Sequence, residues 1–167
     1  LPPESQRVEH EGEIAVVVGA RLTRASAAEA AAAIFGVTAA NDVTARDLQQ
    51  RDATFARAKS FDSFCPLGPA VVPRTAAPDP DALMLDVRVD GEIVHRAPCG
   101  DRVRGIAALI ADISAFMTLQ PGDLLMLGVA HGAPRVRAGQ RAEVTAPGLA
   151  PLAMRFARAT GAIDEPD

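Results

Sequence analysis

Hydrophobic positions along this chain come in short runs whose spacing switches between strand-like and helix-like. Ile14 to Val18 is an unbroken apolar stretch, mostly valine, closed by Gly19, and it reads as a buried strand. Side chains alternate along a strand, so Glu11 and Glu13 at its head share a face with Ala15 and Val17. Ser26-Ala-Ala-Glu29 has the capping-box pattern, and the alanine-rich stretch to Ala33 predicts a short helix. Ile34 to Ala40 returns to a strand pattern that ends at Asn41-Asp42. Thr44 to Asp52 is polar and predicts a helix with Thr44 as its cap. Pro66 to Pro73 reads as a loop entering a short strand, and Thr75 to Asp81 as a proline-bearing surface loop. Leu83, Leu85, Val87 and Val89 alternate with Met84, Asp86 and Arg88. The pair Asp90-Gly91 then reverses the chain into a hairpin that continues through Ile93. Between Arg102 and Met117, the residues Ile106, Leu109, Ile110, Ile113, Phe116 and Met117 recur at helical spacing, a stripe suited to core packing. Beyond the turn Leu119–Asp123 come a strand at Leu124–Leu127, a glycine-containing loop from Gly128 to Pro134, and strands at Arg141–Thr145 and Leu152–Phe156. The acidic tail Ala162–Asp167 reads as loose. Many short strands with few helices predict a mainly β, α+β domain, a roll or barrel flanked by helices.

Composition narrows the function classes. The 167 residues suit one domain with a sizeable core, spanning 1–167, and 49% hydrophobic content is enough to fold. A net charge of −4, with no Trp or Tyr and six Phe, offers neither the basic footprint nor the stacking platform of a nucleic-acid binder. The apolar runs are too short to span a membrane. Cys65 and Cys99 match no metal or redox spacing. With no export signal in the leading residues, they predict a reducing, cytoplasmic setting.

Glu11 and Glu13 then stand out. Two carboxylates heading a core strand repel each other and resist desolvation, a conflict that a bound cation resolves. The plainer reading is that the strand emerges into water there. Asp42 closes the second apolar strand as the glutamates open the first. If the strands are neighbours, three carboxylates converge, and an all-oxygen set suits Mg²⁺, Mn²⁺ or Ca²⁺ better than zinc. As a lone residue, Asp42 reads equally well as a helix cap. Arg46 and Gln49 lie four and seven positions beyond Asp42, on its side of a helix if one forms there.

Four blocks carry a resemblance: His10-Glu-Gly-Glu-Ile-Ala-Val-Val-Val-Gly19, Thr38-Ala-Ala-Asn-Asp-Val-Thr-Ala-Arg-Asp-Leu-Gln49, Ala58-Lys-Ser-Phe-Asp-Ser-Phe-Cys-Pro-Leu-Gly-Pro69 and Phe116-Met-Thr-Leu-Gln-Pro-Gly-Asp123. In this order they closely resemble the fumarylacetoacetate hydrolase superfamily. The resemblance implies a β-roll of mixed sheets, usually a homodimer, with one Mg²⁺ or Mn²⁺ per site held by Glu11, Glu13 and Asp42. It implies that Lys59 holds a substrate or enolate oxygen, with its pKa lowered by the nearby dication, and that Arg46 and Gln49 orient a substrate carboxylate or keto oxygen.

Two departures qualify the likeness. Many members contact substrate through a threonine in a Thr-Gly-Thr-Pro loop, where this chain has Leu127-Gly-Val-Ala-His-Gly-Ala-Pro134. Val129 replaces that threonine, and His131 is either a substitute polar contact or a surface histidine. This loop resembles the branch acting on 4-hydroxyphenylacetate degradation products. Several members also carry an acid–base histidine and glutamate on an upstream lid, whereas ten residues precede Glu11 here. The chain is therefore expected to lack that lid.

The function so implied is a metal-dependent decarboxylase or isomerase of an unsaturated oxo-dicarboxylate. Its type reactions are 5-oxopent-3-ene-1,2,5-tricarboxylate decarboxylation and 2-hydroxyhepta-2,4-diene-1,7-dioate isomerisation. The alternatives are an acylpyruvate hydrolase or oxaloacetate decarboxylase, and a non-catalytic half of a larger enzyme.

Overall fold

A computed structural model describes residues 1–128 and 132–159. Its frame is a pair of long antiparallel strands, β1 (Val8–Val18) and β2 (Ile34–Ala45), in unbroken register from Val8 opposite Ala45 to Val17 opposite Gly36. β3 (Leu67–Pro73) flanks β2, and β6 (Leu124–Met126) flanks β1, giving the order β3-β2-β1-β6. A second sheet, ordered β5-β4-β7-β8, packs against the first. It comprises β4 (Met84–Val89), β5 (Glu92–Pro98), β7 (Arg141–Thr145) and β8 (Leu152–Arg155). Where the resemblance implies mixed sheets, every strand pair among the described residues is antiparallel. The helices are short: α1 (Ala27–Ala32), α2 (Arg46–Gln49), α3 (Ala56–Lys59) and α4 (Ile106–Ser114). None is long and apolar enough to cross a membrane.

The local signals in the sequence produce the elements they predict. Ser26 and Glu29 form the reciprocal capping box of α1. Asp90 (φ 51°) and Gly91 (φ 92°) both take positive φ and close the β4–β5 hairpin. Ile106 and Ile110 of α4 are buried. The helix stops at Ser114, however, so Phe116 and Met117 leave the predicted stripe and are exposed.

The sandwich core takes the even-numbered face of β1. Ile14, Val16 and Val18 meet Val37 and Ala39 of β2, and Leu85, Val87 and Val144 of the second sheet. The sheets approach so closely at Gly12 that a Cβ there would lie 2.7 Å from Val87 Cγ2 and 2.9 Å from Val144 Cγ2. Glu9, Glu11 and Glu13 therefore stand on the opposite face of β1 from the sandwich core.

Two expectations are corrected. β1 starts at Val8, not at the apolar run, and β2 runs through Asn41-Asp42 to Ala45. Thr44 is accordingly a buried strand residue and not a helix cap, and the helix expected over Thr44–Asp52 is reduced to α2. The physical reason is mutual pairing. The polar halves of β1 and β2 supply each other's backbone partners, which outweighs the turn and cap preferences of their side chains.

Candidate active site

The register of β1 and β2 builds the site. Glu11 is directly opposite Asp42, and Glu13 is two residues along opposite Ala40, so the three carboxylates share one face of the sheet. Asp42 reaches this face as a strand residue, so the expected helical relation of Arg46 and Gln49 to it does not arise. Arg46 instead begins α2 immediately after β2 ends. Its Nη2 donates to Glu11 Oε1 at 2.7 Å, its Nε to Glu9 Oε2 at 2.7 Å, and its Nη1 to Gln49 Oε1 at 2.6 Å. Lys59 ends α3, which is seated by the fully buried Ala58. Its Nζ donates to Asp42 Oδ2, to Glu11 Oε2 at 3.2 Å and to Thr44 Oγ1 at 3.1 Å. The Thr44 hydroxyl in turn donates to Glu11 Oε2 at 2.9 Å.

These neighbours set the charges. Burial works to raise the Glu11 carboxyl, but the bonds from Arg46 and Thr44 and the charge of Lys59 outweigh it and hold Glu11 below the usual range. Glu13 is only 4% exposed, so the reading of a solvated strand end does not hold for it. Burial pushes its carboxyl up to about 7, helped by the charges of Asp42 and Glu11 and opposed by the Gly128 N–H, which donates to Oε2 at 2.7 Å. In the metal-free site the Lys59 pKa is raised, and the lowering expected beside a bound dication is a separate effect. Burial works to lower the Lys59 pKa, but the bond to Asp42 and the charges of Asp42 and Glu11 prevail and raise it.

Among the described residues, no three His, Cys, Asp or Glu side chains are gathered in metal-holding geometry, and the Lys59 ammonium bridges Asp42 and Glu11. The donor set nevertheless suits a hard dication. All of its candidate ligands are carboxylate oxygens, and Glu13 is a buried carboxylate beside two like charges, an arrangement that a dication stabilises. A cavity of about 340 Å³ is lined by Glu13 and Gly128 together with Gly12, Ile14 and Leu85 of the sandwich side and with Cys99, Arg102 and Arg104; Glu11, Asp42 and Lys59 do not line it.

Val129 and His131 lie outside the described residues. Two neighbours escaped sequence reasoning. Glu9 is 6% exposed and bonds both Arg46 and Arg7, and the period-two series Glu9, Glu11, Glu13 was the signal for it. Cys65 borders the site. Burial raises its thiol pKa, and so do the charges of Asp42 and Glu13. Its position between Lys59 and β3 was the only hint.

Fold and site thus describe an antiparallel β-roll bearing a row of acidic side chains beside one lysine. Residues 1–157 match the family described as fumarylacetoacetate (FAA) hydrolase C-terminal, and the chain belongs to that family. It is 44% identical over 133 residues to the mitochondrial oxaloacetate tautomerase Fahd2a of Rattus norvegicus, covering 79% of this chain and 42% of that protein. Among solved structures, the 5-carboxymethyl-2-hydroxymuconate delta-isomerase of Mycobacterium smegmatis superposes with a TM-score of 0.90 at 37% identity, covering 96% of this chain and 63% of that one. The 2-hydroxyhepta-2,4-diene-1,7-dioate isomerase of Mycobacterium marinum does so with a TM-score of 0.89 at 37% identity, covering 95% and 62%. The chain spans about half the length of the curated relatives it matches.

Proposed function

We propose that this domain forms the catalytic site of a Mg²⁺- or Mn²⁺-dependent enzyme that carries an unsaturated oxo-dicarboxylate through its enolate. Double-bond isomerisation of the 2-hydroxyhepta-2,4-diene-1,7-dioate type and decarboxylation of 5-oxopent-3-ene-1,2,5-tricarboxylate are the reactions that fit. One observation carries this reading: Glu11, Glu13 and Asp42 share a single sheet face with Lys59 among them. Glu11, Glu13 and Asp42 would hold the dication, which when bound supplies Lewis-acid stabilisation to a developing enolate. Lys59, whose Nζ lies against Asp42 and Glu11, would place a positive charge where the substrate's keto oxygen gains charge. Arg46 uses all three guanidinium nitrogens on protein partners, so it holds Glu11 ionised and oriented and leaves the distal carboxylate to another cation. Isomerisation also needs a positioned base, whereas loss of CO₂ needs chiefly the electron sink.

A second reading, keto–enol interconversion of oxaloacetate, is favoured by the likeness to the rat tautomerase. Purified protein loaded with Mn²⁺ and assayed on the two unsaturated acids and on oxaloacetate separates these readings. Asp42→Asn is expected to abolish turnover of whichever acid is used. Full activity in that variant refutes the assignment of the site.

A further inference from the structure

Glu9 is the third carboxylate on the acidic face of β1, and neither the family motif nor the proposed metal set includes it. It is 6% exposed, and both of its oxygens are engaged. Oε1 accepts from Arg7 Nε at 2.7 Å, and Oε2 accepts from Arg46 Nε at 2.7 Å. The same guanidinium passes from Glu9 to Glu11, whose Oε1 accepts from Arg46 Nη2 at 2.7 Å, while Gln49 Oε1 takes Nη1 at 2.6 Å. A rigid, planar fork held at three nitrogens has one orientation. Glu9's own backbone is fixed twice over, paired with Thr44 on β2 and bridged to Arg135 on its other side. The result is a continuous chain of charge-assisted bonds, Arg7–Glu9–Arg46–Glu11, that ends on a carboxylate of the proposed metal set.

We propose that Glu9 is a positioning residue for the metal centre: it anchors Arg46 so that Arg46 presents Glu11 to the cation. The anchor acts through geometry: with Glu9 in place, the Arg46 fork has one orientation and holds Glu11 Oε1 in one place. Outer partners of metal ligands commonly govern affinity by about 10- to 100-fold, and this chain of bonds is the outer partner that the structure provides for Glu11.

The inference rests on the metal reading above, and the experiment separates the two. Mn²⁺ affinity is measured by isothermal titration on wild type, Glu9→Gln, Arg46→Met and the double variant, with circular dichroism confirming that each is folded. The wild type is expected to bind Mn²⁺, and Glu9→Gln and Arg46→Met are each expected to bind it about 10- to 100-fold more weakly. The double variant should bind no more weakly than Arg46→Met alone, because Glu9 acts only through Arg46. Arg46→Lys keeps the charge and loses the fork. It provides the same readout should Glu9→Gln not fold, and a loss of at least tenfold is expected there too. Wild-type affinity in Glu9→Gln, or losses that add in the double variant, overturns the positioning role while leaving the metal site standing. Failure of the wild type to bind Mn²⁺ overturns the metal reading, and the positioning role with it.

Discussion

Replacing Glu13 by glutamine is expected to make the metal-free protein more stable at pH 8 while destroying its response to metal. In the fold, the Glu13 carboxyl is pushed up to about 7 from its ordinary value near 4.5. The native state therefore holds on to this proton, and the unfolded chain releases it earlier. Below about pH 4.5 both states are protonated and Glu13 costs nothing. Between 4.5 and 7 the native state binds more protons than the unfolded state, so stability falls as pH rises, and above 7 the loss is complete. At about 1.4 kcal/mol per unit over this window, the deficit is roughly 3 kcal/mol or slightly more. Glutamine keeps an oxygen for the Gly128 N–H and has no charge to desolvate. Glu13→Gln should then match wild type near pH 4.5 and exceed it by about 3 kcal/mol at pH 8, a rise of about 6–12 °C in Tm. Differential scanning calorimetry in EDTA at both pH values reads this directly. Adding Mn²⁺ at pH 8 should stabilise the wild type by mass action and leave Glu13→Gln unmoved. The reasoning is refuted if Glu13→Gln is less stable than wild type at pH 8, or if the difference between them is the same at both pH values.

Two further outcomes follow from the same geometry. Lys59→Met removes the ammonium that contacts Asp42 and Glu11, so Mn²⁺ should bind more tightly in titration calorimetry while kcat on the preferred oxo-acid falls roughly a hundredfold or more. Gly12→Ala forces a methyl group to within 2.7 Å of Val87 and should destabilise the protein by about 2 kcal/mol in urea unfolding, the usual cost of overfilling a packed interface.

The elements legible in the sequence were those specified by local chemistry. Ser26 and Glu29 cap α1 within one turn, Asp90-Gly91 dictates its hairpin, and the Ile14–Val18 run is strand from either end. The polar extensions of β1 and β2 were illegible because nothing local makes Val8–Gly12 or Asn41–Ala45 extended; each is extended because the other lies beside it. Thr44 shows the consequence. Its hydroxyl suits a helix cap, but long-range pairing makes it a strand residue whose hydroxyl serves Glu11. At the site, residue identities were legible and partners were not. Arg46 could be placed near the carboxylates but not seen to be spent on Glu9, Glu11 and Gln49, because Glu9 comes from the other strand.

The long β1–β2 ladder also bears on how the chain avoids misfolding. A hairpin of this length has many nearly equivalent alignments, and backbone hydrogen bonds alone discriminate poorly among them. Sliding β1 by one residue would turn Glu9, Glu11 and Glu13 inward between the sheets and send Ile14 and Val16 outward, at the cost of three buried, unpaired charges. Sliding by two would keep the faces but remove Asp42 from its place across from Glu11. The acidic row thus penalises the one-residue slip, and the residues proposed for catalysis meet in this arrangement only in the native pairing.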